Sequence, residues 1–271
     1  MPAININNSS KEVLKQSVVY TGLTQVKMVA VNPTLKELQE MGYNFQQEPV
    51  YLTEEEGVRK LRLDFYFKNA TVSNKITFFL ENRPRVNKDG TKNEFINHYG
   101  QSTWAADLNE ALNKTASNGK KWFNAEGARE AYVGETSLIE FLKQWLNTNP
   151  NDKVYIEDME ALFKGNVKEL QYYVNAAKDN VVWVLLTYSE KEGKYYQNVD
   201  NGLFIRGYFK QVAAFSKAVE YIKRKEKDGY PVKGYNGLEF KEFVPPAPEV
   251  ILPDSDLDML KGKIDDGSNV F

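Results

Sequence analysis

The stretch RKLRLDFYFK (59–68) decides the fold. Arg59, Leu61, Leu63, Phe65 and Phe67 alternate with Lys60, Arg62, Asp64, Tyr66 and Lys68. A period of two is the signature of a strand, because successive side chains point to opposite faces. One face is apolar from Leu61 to Phe67 and belongs in a core. The other keeps charges and one ring, Tyr66, as expected of an antiparallel sheet with one solvated side.

Reading outward, NKITFFLEN (74–82) is a second strand. Its neighbouring Phe78 and Phe79 must face opposite ways, so one is core and the other is not. SVVYTGLTQVKMVAV (17–31) is rich in β-branched residues and reads as a strand. Asn32-Pro33-Thr34 then opens a short helix over 34–41, and 44–57 is a loop carrying Glu54-Glu55-Glu56. An Asp89-Gly90 turn sends 92–99 back as a third strand or extended segment. Leu138, Phe141, Leu142 and Trp145 fall at i, i+3, i+4 and i+7, which predicts an amphipathic helix over 136–147. Short helices follow at 156–163 and 166–177. NVVWVLLTYS (180–189) is a buried strand, and Glu192-Gly193 turns it into 194–200. A helix at 210–227 and a short strand at 235–243 complete the order. The fold class is α+β. Strands at 17–31, 58–68, 74–82, 180–189 and 194–200 are expected to form an OB-fold-like antiparallel β-barrel. That domain spans 17–244 with a helical insertion around 105–178. A polar arm, 1–16, precedes it and a flexible acidic tail, 245–271, follows.

Composition narrows the function classes. The chain has 271 residues with no cysteine, so disulfides and thiolate metal sites are excluded. His98 is the sole histidine, which argues against zinc and against a histidine-based triad. No GxxxxGK[ST] loop is present and no cofactor is expected. No apolar run approaches the ~20 residues of a membrane span, and no leader pattern is visible. A cytoplasmic, membrane-free setting is therefore expected. Net charge is only −2, but it is unevenly placed. Residues 57–121 hold 12 Lys/Arg against 6 Asp/Glu, whereas the tail sets six carboxylates against Lys261 and Lys263. A basic, aromatic body beside an acidic tail suggests a nucleic-acid groove that the tail shields when empty.

The candidate site residues lie between 59 and 104. Cations at Lys60, Arg62, Lys68, Arg83, Arg85, Lys88 and Lys92 are interleaved with rings at Tyr66, Phe79, Tyr99 and Trp104. Single-stranded nucleic acid calls for this mixture: cations neutralise phosphates while flat rings stack on any base. In Asn82-Arg83-Pro84-Arg85, Pro84 holds two guanidiniums in an extended segment, or the segment is a plain strand exit. Lys191, Lys194, Tyr195, Tyr196 and Arg206 would suit a groove wall or an ordinary exposed hairpin. Glu157, Asp158 and Glu160 admit a divalent-metal reading, but an acidic helix start accounts for them equally.

Three segments carry a resemblance: FFLENRPRVNKDGTKNEFINHYGQSTWA (78–105), VKMVAVNPTLKELQEMGY (26–43) and YVGETSLIEFLKQWLN (132–147). They resemble single-stranded DNA-binding proteins of tailed bacteriophages, of the crAss-like and related Bacteroidetes-phage type. The resemblance runs over about 20–243. It implies sequence-nonspecific binding of single-stranded DNA in phage replication, recombination or repair, with no bond chemistry. It also implies a tail ending in phenylalanine that recruits replication or recombination proteins, here through Asp265, Asp266 and Phe271. Some members of that group hold zinc through Cys and His; without cysteine, a metal-free core is expected. The rival is a phage structural or virion-cargo protein whose aromatic surface is a protein interface. A metal-dependent nuclease using the 157–160 acids is a third reading.

Overall fold

The computed structural model describes residues 18–146, 148, 152–206 and 211–245. The arm 1–16, the tail beyond Pro245 and therefore Asp265, Asp266 and Phe271 lie outside the described residues.

β1 (Tyr20–Val31) leads through Asn32 into α1 (Leu35–Glu40). Thr34 and Glu37 form a reciprocal capping box there, which fixes the helix start. β2 (Leu52–Glu55) and β3 (Val58–Lys68) are joined by Glu56-Gly57, both at positive φ, a hairpin turn whose twist matches the strands. β4 (Ser73–Pro84) follows β3 in antiparallel register over its first nine residues. Between β4 and the next long strand lie β5 (Asn93–Ile96), β6 (Ser102–Ala105), α2 (Leu108–Asn113), β7 (Arg129–Glu130), β8 (Tyr132–Val133), α3 (Glu135–Leu146), α4 (Met159–Leu162) and α5 (Lys168–Ala176). β9 (Val181–Lys191) and β10 (Lys194–Arg206) form the hairpin turned by Glu192-Gly193. α6 (Gln211–Lys227) and β11 (Lys241–Glu242) end the described chain.

The main sheet has the order β10-β9-β1-β3-β4-β8, with β2 added to β3 and β11 to β1. It is antiparallel and curls into a half-barrel. The curl brings β4 back toward β10: Asn74 Nδ2 donates to the Gln197 carbonyl at 3.3 Å, and Asn201 Nδ2 to the Thr77 carbonyl at 3.4 Å. Inside the curl lie Met28, Leu61, Leu63, Phe65, Phe67, Ile76, Phe78, Leu80 and Val184. α3 plugs this interior with Phe141 and Trp145, both fully buried, and the Phe141 ring lies 5.0 Å from Phe65 and 4.8 Å from Phe204. The outer face of β1, β9 and β10 carries Leu23, Trp183, Leu185, Leu203 and Ile205, covered by Ala214, Ala218, Tyr221 and Ile222 of α6. Among the described residues no such helix packs on the outer face of β3 and β4, and that asymmetry positions the candidate site.

Three expectations are corrected. The loop 44–57 contains a strand, β2, which borrows its order from backbone pairing with β3. The insertion between β4 and β9 is not simply helical: it opens with a second sheet, β6-β5-β7, starting well before residue 105. The final strand shrinks from 235–243 to Lys241–Glu242: the Leu238 carbonyl accepts from the Leu23 amide at 2.9 Å and the Phe243 amide donates to the Val19 carbonyl at 2.7 Å, but these are single bonds, and ladder pairing with β1 covers only Tyr20–Glu242 and Thr21–Lys241.

Candidate nucleic-acid interface

The outer face of β3 and β4 is built by register. Lys60 faces Glu81, Arg62 faces Phe79, Asp64 faces Thr77 and Tyr66 faces Lys75. Phe78 points inward at 6 % exposure and Phe79 outward at 65 %. An exposed ring in mid-strand, with a guanidinium directly across, is the arrangement on which a base could stack while its phosphate is neutralised. Asp64 organises the cations around it. Its carboxylate is fully buried, accepts from Lys75 Nζ at 2.6 Å and Thr77 Oγ1 at 2.8 Å, and lies 3.2 Å from Arg62 Nε. The backbone of Asp64 is pinned in turn by Asn32. Arg62 also lies over the Tyr51 ring at 5.4 Å.

Tyr66 is a correction. The alternation places it on the outer face, but that face is roofed locally by the segment after α1. Tyr43 meets the Tyr66 ring edge-on at 5.1 Å, and Tyr66 is 2 % exposed. Burial, reinforced by nearby Asp64, pushes the Tyr66 phenol up to about 12. Tyr66 is therefore closed to a stacking base. Sequence periodicity reports which side of a sheet a residue is on, and the roof comes from 23 residues upstream.

The remaining candidates are distributed over several surfaces. Lys60 pairs with Glu55 at 2.6 Å and Arg83 with Glu81 at 2.5 Å, both along the open face. Arg85, Lys88, Lys92 and Trp104 belong to the insertion. There Arg85 bonds the buried Glu94 at 2.8 Å and lies 5.3 Å over the half-buried Trp104 ring, which covers one face of that ring. Lys92 is 3.8 Å from Glu110, and Lys88 sits at the hairpin tip with no carboxylate partner among the described residues. Tyr99 lies at the opposite end of β5, its hydroxyl donating to Glu126 at 2.8 Å. Lys68 lines a separate cleft of about 560 Å³ with Lys27 and Lys178. Close by Arg85, the exposed Glu140 is partly desolvated by its surroundings, and this together with the nearby Glu94 raises its carboxyl above the ordinary glutamate value.

Most cations proposed for phosphate contact thus carry carboxylate partners, so nucleic acid would have to compete with Glu55, Glu81 and Glu94. Asp158 is accounted for structurally, since it caps α4 by accepting from the Ala161 amide. His98 stacks on Tyr155 at 3.8 Å and abuts Gly127, a packed position.

Sequence reasoning missed a cleft of about 680 Å³ beside the open face, where Lys75 and Thr77 of β4 meet Asn201 of β10 and Lys225, Tyr230 and Lys233 from the end of α6 and the turn after it. The two β4 residues are more than 120 positions from the others in sequence, and only the curl of the sheet unites them. Comparison of the chain with protein-family models, with curated proteins and with solved structures finds no match.

Proposed function

We propose that the protein binds single-stranded DNA without sequence preference, in phage replication, recombination or repair, on the outer β3–β4 face of an OB-fold-like barrel. The observation that carries this reading is Phe79: a ring 65 % exposed, paired across the ladder with Arg62, on an outer face that no helix among the described residues covers. The strand order supports the barrel assignment. In chain order the five long strands are β1, β3, β4, β9 and β10, and their neighbours run fifth-fourth-first-second-third, with the third returning to the fifth. That is the Greek-key order of an OB-fold, whose second and third strands bind oligonucleotides. The proposal assigns the protein no bond chemistry. Asp265, Asp266 and Phe271 are assigned to recruitment of partner proteins.

The carboxylate pairing of Lys60, Arg83 and Arg85 favours the rival, a phage structural or cargo protein, since a charge-matched surface also suits protein contact. Salt separates the two. Fluorescence anisotropy with labelled oligo(dT) at two salt concentrations should show binding that weakens steeply as salt rises, and weaker binding to duplex of equal length. No binding at low salt, or binding indifferent to salt, would sink the DNA reading and leave the protein-interface reading standing.

A further inference from the structure

We propose that the cleft at the β4–β10 seam is a second nucleotide subsite, which takes a base on Tyr230 and the adjoining phosphates at Lys225 and Lys233. The proposal rests on the DNA reading of the β3–β4 face and extends the strand's path beyond it. Continuity is the first argument. Lys75 and Thr77 line the cleft and also belong to the outer row that contains Phe79. Thr77 and Phe79 are two residues apart on one strand, about 7 Å. A strand stacked on Phe79 therefore reaches the cleft with its next nucleotide or two.

Preorganisation is the second argument. The turn after α6 is held at both ends. Asp228, Gly229 and Tyr230 donate to the carbonyls of Arg224, Glu226 and Lys225, Val232 packs into the α6 cluster, and the Gly234 carbonyl accepts from the Tyr188 amide at 3.1 Å. Yet Tyr230 itself, in the middle of this fixed turn, is 68 % exposed. A tyrosine held out from a rigid turn offers a stacking surface at low ordering cost. Tyr188, which also lines the cleft, is not available in this way, because Phe243 stacks on it at 4.1 Å.

Charge is the third. Lys225 and Lys233 have no carboxylate partner among the described residues, unlike the paired cations of the open face. The one carboxylate in the lining, Asp200, is tied to the Tyr221 hydroxyl at 2.6 Å and to the Gly202 amide at 3.0 Å. The cleft volume, about 680 Å³, falls in the range of small-ligand sites and has room for a nucleotide.

The test compares the full chain with Y230A, K225A/K233A and F79A, using oligo(dT) of about 4 and about 16 nucleotides. Y230A should weaken the long oligomer about 5- to 100-fold and leave the short one, bound on Phe79, unchanged. K225A/K233A should flatten the salt slope for the long oligomer by about two units. F79A should weaken both lengths. If the parent binds neither oligomer, the DNA reading falls and the subsite with it. If parent and F79A behave as stated while the cleft variants match the parent on the long oligomer, the cleft proposal alone is overturned. A second measurement needs no variant. A long oligomer carrying photoreactive 5-iododeoxyuridine, irradiated on the unmodified protein, should crosslink to Tyr230, and adducts confined to other residues would overturn the subsite. Cleft variants that lose binding of the acidic 246–271 peptide but not of DNA would also overturn it.

Discussion

Two adjacent phenylalanines give the sharpest test of the proposed face. Phe78 is 6 % exposed and packs against Phe65 and Phe141, with ring centroids 5.9 and 5.0 Å away. Phe79, its chain neighbour, is 65 % exposed. Truncating Phe78 to alanine leaves a cavity in the barrel interior and should cost about 3–5 kcal/mol. With the urea dependence of a domain this size, that is a midpoint shift of about 1–2 M. Truncating Phe79 removes only partial contact and some strand propensity, so stability should change by no more than about 1 kcal/mol. Its loss should instead appear in DNA binding. Base–aromatic stacking is worth about 1–3 kcal/mol per base, which is about 5- to 150-fold in Kd. Urea unfolding followed by tryptophan fluorescence and oligo(dT) anisotropy, run on F78A and F79A side by side, measure both effects. An F79A protein with parental affinity removes Phe79 from the interface. An F79A protein that unfolds as early as F78A contradicts the outward placement of the ring.

Asp64→Asn should lower stability by about 1–3 kcal/mol, because Lys75 and Arg62 lose the buried carboxylate that both face; an unchanged urea midpoint would deny Asp64 its organising role. Glu140 has a folded pKa above its unfolded one, so the folded state binds the extra proton and stability falls as pH rises past the ordinary glutamate value. Glu140→Gln should therefore stabilise the protein at pH 7 and make little difference at pH 3, and equal effects at both would refute the assignment. Deleting 246–271, which carries six carboxylates against two lysines, should raise oligo(dT) affinity at low salt, and unchanged affinity there would argue that the tail does not compete.

Strands β3 and β4 were legible because burial on one face writes a period of two into them, and β9 because burial on both faces leaves a continuous apolar run. RKLRLDFYFK and NKITFFLEN became β3 and β4 nearly residue for residue, and Leu138, Phe141, Leu142 and Trp145 became the buried side of α3. Of the insertion's sheet only β5 was legible, inside the extended segment expected at 92–99. β7 and β8 are two residues long, and β6 four, too short to show alternation. Their order comes from long-range bonds such as Ala131 N to the Glu94 carbonyl and Asn97 Nδ2 to the Asn124 carbonyl. Within the site, the side of the sheet was readable at Arg62, but accessibility was not. Phe79 could not be told from Phe78, and the burial of Tyr66 depends on Tyr43 from a different element. Charge clustering between 57 and 121 was visible, whereas the partnering of Lys60, Arg83 and Arg85 by Glu55, Glu81 and Glu94 depends on register and curl.

Where β4 and β10 converge, two asparagine side chains, Asn74 and Asn201, do what a backbone ladder does along every other junction of the long strands. A junction of that kind has few bonds to break and can part without unzipping its neighbours. The slowest amide protons to exchange should then sit on β1, β3 and β9, which are laddered on both sides, and the fastest among the long strands on the facing edges of β4 and β10. A molecule wedged across that gap would bridge Lys75 on one lip and Lys225 on the other. Its footprint in a deuterium-exchange experiment would be slowed exchange along both edges at once, at residues it never touches.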